Sequence, residues 1–119
     1  MRGYDVYPAL VNRARHNGID ASLIDLDAES PKGELAVMWG VLHHLNDRDN
    51  CLKRIGQNYS LAFIREPLKY GTGNGMEMGK PLIKEEVEDM VGKYLPNAEI
   101  SYFNNCVFIF YKSPDVKLF

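Results

Sequence analysis

Residues Glu34–Pro67 read ELAVMWGVLHHLNDRDNCLKRIGQNYSLAFIREP. Leu35 to Trp39 is an unbroken apolar run, the pattern of a strand covered on both faces, and it predicts a position near the centre of a parallel sheet. Asn46 or Asp47 has the short acceptor side chain that caps a helix, which then runs to about Gln57 with Cys51, Leu52 and Ile55 turned inward. A second apolar strand follows at Leu61 to Ile64. Strand, helix and strand within about 30 residues make a βαβ unit.

The flanking segments extend this alternation. Upstream, Met1 to Asp5 reads as the end of a strand. Pro8 suits a first helical turn, and Leu10, Val11 and Ala14 form a narrow apolar stripe that Gly18 stops. Ile19 to Leu26 reads as another strand. Downstream, Lys69 to Lys80, KYGTGNGMEMGK, holds four of the ten glycines and reads as a long loop. Then comes the clearest helix, with Val87, Met90, Val91, Tyr94 and Leu95 at the i, i+3, i+4, i+7, i+8 spacing, ended by Pro96. Ala98 to Phe103 and Cys106 to Tyr111 read as strands, and Asn104-Asn105 between them suits a tight hairpin because Asn tolerates positive φ. The order β-α-β-β-α-β-α-β-β predicts a three-layer α/β fold, mostly parallel, with an antiparallel C-terminal hairpin.

A chain of 119 residues is one domain, 1–119, and an apolar fraction of 45% with 25% charged residues is ordinary for a folded globular one. The 14 Lys and Arg against 16 Asp and Glu give a net charge of −2, with no basic excess to attract a phosphate backbone. The apolar runs are far shorter than the ~20 residues that cross a bilayer. Neither nucleic acid nor membrane is expected as a partner. Cys51 and Cys106 lie far apart among apolar neighbours and read as buried thiols of a reducing compartment. The N-terminus, MRGYDVYP, has no apolar stretch of the signal-peptide kind. A cytoplasmic protein is the expectation.

Four strings together, GYDVYPALVNRA, LIDLDAESP, ELAVMWGVLHHLND and LAFIREP, resemble the Rossmann-like class I methyltransferases that use S-adenosyl-L-methionine. The resemblance runs from that family's second strand to its last, and VLHHLND after an apolar strand is its most specific element. It implies a Rossmann-like three-layer α/β methyltransferase fold and methyl transfer to an acceptor that the sequence does not identify. The family's second strand ends in an acidic residue that accepts from both ribose hydroxyls, and Asp5 matches it; the other reading of Asp5 is a cap on the helix at Pro8. After the third strand an acidic residue accepts from the adenine amine. Asp27 matches it, with Asp25 as the competing register, and Val6, Tyr7, Leu26 and Ala28 are placed to bound the adenine.

The resemblance puts Met38, Trp39 and Gly40 beside the sulfonium, where an aromatic face attracts a cation by ~0.5–2 kcal/mol. Trp39 as plain core is the alternative. His44 lines the pocket in this reading, as a general base or as a residue ordering the turn into the next helix. Glu66 faces the acceptor or pairs with Arg65. His43, His44, Asp47 and Asp49 do not make a metal site, since adjacent side chains on an extended segment point apart and no second cluster completes the set. In-line methyl transfer depends mainly on positioning, so the lack of a triad does not count against it.

The family's first strand and its glycine-rich turn precede the match to Asp5. That strand is central in a sheet ordered third, second, first, fourth, fifth, seventh, sixth. Without it two strand edges stand open. The sequence is then a piece of a longer protein, or its second and fourth strands pair directly, or a second copy or partner chain covers the edges. The GTGNG run at Gly71–Gly75 has no helix directly behind it and reads as a lid, with Tyr70 and Met76 at the acceptor. Two other readings stand beside the enzyme: a noncatalytic methyltransferase-like protein acting through self-association or a partner chain, and a nucleotide-binding protein using the GTGNG loop.

Overall fold

A computed structural model describes residues 3–5, 8–18, 20–23, 26, 32–68 and 82–114. The chain runs through β1 (Gly3–Asp5), α1 (Pro8–His16), β2 (Ala21–Leu23), β3 (Gly33–Trp39), a 3-10 turn (Leu42–His44), α2 (Arg48–Asn58), β4 (Tyr59–Pro67), α3 (Lys84–Tyr94), β5 (Glu99–Phe103) and β6 (Cys106–Lys112). Each boundary has a local cause. Asp47 caps α2 by accepting from the Asn50 amide at 3.1 Å. Asn104 and Asn105 take φ of 48° and 66°, which turns β5 tightly into β6. Gly18, with φ 82°, ends the turn after α1.

The strands form two sheets. β1 pairs with β2 in parallel; β3 pairs with β4 in parallel, β4 with β6 antiparallel and β6 with β5 antiparallel. The expected mostly parallel sheet is therefore replaced, among the described residues, by a parallel pair and a mixed four-stranded sheet ordered β3-β4-β6-β5. β1 and β3 do not pair with each other, so the direct contraction of the sheet does not occur.

One face of the four-stranded sheet carries the core. Ala36, Met38, Ala62, Ile64, Val107, Ile109 and Tyr111 meet Cys51, Leu52 and Ile55 of α2 and Val87, Met90 and Val91 of α3. Fully burying each Leu, Ile, Val or Met contributes ~1.5–3 kcal/mol. The two helices approach so closely at Gly56 that a Cβ there would lie 2.6 Å from the Tyr94 carbonyl oxygen. Both cysteines are buried, as expected, and are not joined to each other by a disulfide.

The opposite face corrects the reading of Leu35 to Trp39. Leu35, Val37 and Trp39 are 53%, 60% and 59% exposed, whereas Ala36 and Met38 are buried. Among the described residues β3 is an edge strand with one covered face, and its continuous apolar run hides a strict alternation. Trp39, Phe63 and Phe108 gather on the open face, with ring centroids 6.3–6.5 Å apart. Among the described residues no helix is long and apolar enough to cross a membrane.

Candidate functional site

The parallel strands β3 and β4 end together, and their C-terminal ends are where open α/β sheets place ligands. The Gly40 amide donates to the Arg65 carbonyl at 2.8 Å, carrying the ladder one residue beyond Trp39. Gly40 then takes φ 68°, a conformation that suits a residue without Cβ, and the chain turns into the Leu42–His44 helical turn.

Glu66 lies directly beneath this turn. Alternation along β4 places it on the core side with Ala62 and Ile64, and it is 0% exposed. Burying a carboxylate without partners is costly; here every partner is a donor. The amides of Val41 and Leu42 donate to Oε1 at 2.9 and 2.5 Å, the His43 amide approaches Oε2 at 3.4 Å, and His43 Nδ1 lies 2.9 Å from Oε2. A carboxylate accepts, so the proton of this last bond is assigned to Nδ1, which leaves Nε2 of the ring as an acceptor. The His43 side chain is 10% exposed. Arg48 closes the arrangement from the other side, donating to the His43 carbonyl at 3.3 Å and to Glu86 at 2.9 Å.

The expected site residues separate accordingly. Glu66 is buried and pairs with His43, not with Arg65. His44, the histidine favoured from sequence, is exposed and lies against His43 with centroids 4.0 Å apart and ring planes tilted by 40°, while the carboxylate orients His43 instead. Met38 is 4% exposed in the helix-side core, so its side chain is withdrawn from the site. Trp39 is not core. The Arg65 guanidinium lies 5.2 Å from its ring centroid, which gives the indole a cation from this chain where a sulfonium was expected. Asp5 is the last residue of β1. Val6, Tyr7, Asp27, Ala28, Tyr70 and Met76 lie outside the described residues, as does the GTGNG run. Among the described residues no three His, Cys, Asp or Glu side chains form a metal-holding group.

The Glu66–His43 pair was not anticipated because neighbouring histidines are equivalent in a one-dimensional pattern. The available signal was Glu66 itself, an acidic residue continuing the inward parity of Ala62 and Ile64.

No protein-family model matches the sequence, and no curated protein sequence matches it either. Solved structures do match. A possible histamine N-methyltransferase from Thermotoga maritima superposes with a TM-score of 0.74 at 14% identity, covering 93% of this chain and 72% of that one. The N-terminal domain of EvdMO1 with SAH bound gives 0.69 at 11% identity, over 94% and 64% of the two chains. Magnesium protoporphyrin IX methyltransferase from Synechocystis with bound SAH gives 0.69 at 9% identity, over 94% and 63%. The chain has the class I methyltransferase fold. Its strands form two sheets, ordered β1-β2 and β3-β4-β6-β5. The chain spans 64% and 63% of the two SAH-bound structures, so it corresponds to about two thirds of such a methyltransferase fold.

Proposed function

We propose that this chain is the larger part of an S-adenosyl-L-methionine-dependent methyltransferase in which His43, held by Glu66, takes the proton from the methyl acceptor. The observation that carries the reading is the buried Glu66–His43 pair at the C-terminal ends of β3 and β4. The fold supports the cofactor assignment, and the residues present fit it in part. Asp5 ends β1, where a carboxylate would accept from the ribose hydroxyls, and Gly40 leaves backbone open at the end of β3. When bound, the cofactor supplies an electrophilic methyl group on a sulfonium.

The chain's own residues do the rest. Glu66 fixes the ring plane and tautomer of His43 through one side-chain bond and three amide contacts. Nε2 then accepts a proton from a hydroxyl or amine as that group attacks, a role an imidazole fills near neutral pH and one that contributes ~10²–10⁴ in rate. Arg48 keeps the turn in place by binding its carbonyl.

Calorimetric titration with S-adenosyl-L-methionine and S-adenosylhomocysteine tests the cofactor assignment. Binding at submillimolar ligand that Asp5→Ala weakens more than tenfold is the expected result, on the usual loss of charge-assisted hydrogen bonds. Absence of heat removes the enzyme reading and leaves a methyltransferase-like fold.

A further inference from the structure

Arg65 differs from Arg15, Arg48 and Arg54 in what its side chain does. Arg48 pairs with Glu86, while Arg15 and Arg54 donate to the carbonyls of Ala21 and Leu26. Arg65 lies over Trp39, which is 59% exposed, and pairs with no carboxylate among the described residues. A guanidinium held over an indole face by its charge still has N–H groups to donate to a further partner.

The surroundings give those groups a direction of use. A Cβ built on Gly40 would lie 3.8 Å from Arg65 Nη1 and 3.7 Å from His43 Cε1. The guanidinium and the imidazole therefore flank the same glycine, and the missing side chain leaves the space between them open. Because β3 and β4 are parallel and in register at Trp39 and Arg65, this space is at the strand ends.

We infer that Arg65, lying over Trp39 across Gly40 from His43, binds a planar carboxylate of a ligand. The inference rests on the methyl-transfer reading for what that ligand is: a methyl acceptor that carries a carboxylate as well as the hydroxyl or amine that His43 deprotonates. The cofactor's amino-acid end bears the same group, so the experiment separates the two sources. Guanidinium and carboxylate fit as a two-point, charge-assisted pair, which a neutral amide of equal shape does not reproduce.

Trp39 is the only tryptophan in the chain, so its fluorescence reports on this spot alone. The probes are benzoate and its neutral analogue benzamide, titrated against the wild-type chain, Arg65→Gln and Arg65→Lys, with circular dichroism confirming that each variant is folded. Benzoate is expected to change the Trp39 emission saturably and to bind at least tenfold tighter than benzamide. Arg65→Gln abolishes that preference and Arg65→Lys keeps part of it. Equal binding of the two probes, no benzoate binding, or an unchanged preference in Arg65→Gln overturns the inference.

S-adenosylhomocysteine is the second arm. If Arg65→Gln weakens it tenfold and it displaces benzoate, the carboxylate is the cofactor's; if it binds both proteins alike, the carboxylate belongs to the acceptor. Benzoate binding without any binding of S-adenosylhomocysteine leaves the Arg65 site standing and removes the methyltransferase reading. The reverse pattern does the opposite.

Discussion

Glu66 Oε2 lies 2.9 Å from His43 Nδ1, joining the C-terminal end of strand β4 to the turn after β3 across 23 positions of sequence. The same carboxylate holds the loop's backbone, so its removal leaves several buried donors without an acceptor. Glu66→Ala is expected to destabilise the fold by more than about 2 kcal/mol, because each buried donor left without an acceptor costs about 1–3 kcal/mol. Glu66→Gln, which keeps an acceptor oxygen, should cost clearly less. Urea denaturation of the three proteins checks the order; equal midpoints would show that the carboxylate carries no such load.

The alternation in β3 sets a sharp contrast between neighbours. Val37 is 60% exposed and Met38 is 4% exposed. Val37→Lys should change stability by less than about 0.5 kcal/mol, as surface substitutions do, whereas Met38→Lys places an unpaired ammonium in the core and should prevent folding. Thermal unfolding followed by circular dichroism separates the two, and similar losses in both would mean that the outer face is covered.

Gly56 pits helix propensity against packing. Replacing a helical glycine by alanine contributes about 1 kcal/mol through propensity alone. The added Cβ, however, would come 2.6 Å from the Tyr94 carbonyl oxygen, a backbone atom that moves only with α3. Overpacking of this kind costs about 1–3 kcal/mol, so Gly56→Ala should lower the melting temperature. A raised melting temperature would place α2 and α3 further apart.

Tyr102 gives a pH dependence of known sign. Its hydroxyl donates to Glu88 at 2.9 Å, and its pKa is pushed up from 10.0 to about 12, chiefly by desolvation and then by that hydrogen bond and the nearby Glu88 and Glu85 charges. The folded state thus holds the phenol proton more tightly than the unfolded chain. The contribution is fully present below pH 10 and is lost as the pH rises through about 12. Phenolate absorbance should show Tyr102 ionising late, and Glu88→Gln should bring it forward; Tyr102→Phe identifies its step in the titration.

Much of this architecture was legible because short-range chemistry dictated it. The Asp47 cap, the α3 stripe and the Asn104-Asn105 turn each rest on residues within one or two turns of chain, and each formed where expected. The misreadings concern what lies across the fold. An apolar run such as Leu35 to Trp39 is compatible with one covered face or two, because sequence shows a side chain's polarity and not its neighbour. Strand parity in LAFIRE contained the inward position of Glu66, but a charged residue at a strand end is usually solvated. Which of two adjacent histidines it orients depends on the φ of Gly40 and the turn that follows, a three-dimensional fact.

The break in the sheet between β1 and β3 bears on how tightly any ligand spanning it is held. In the unit of β1, α1 and β2, Val11 and Ala21 are the buried apolar residues described, and neither belongs to the core cluster of the four-stranded half. Asp5 belongs to this unit, whereas His43 and Glu66 belong to the four-stranded half. A ligand that touches both halves binds only molecules in which both are formed, and by linkage it raises that fraction as it binds.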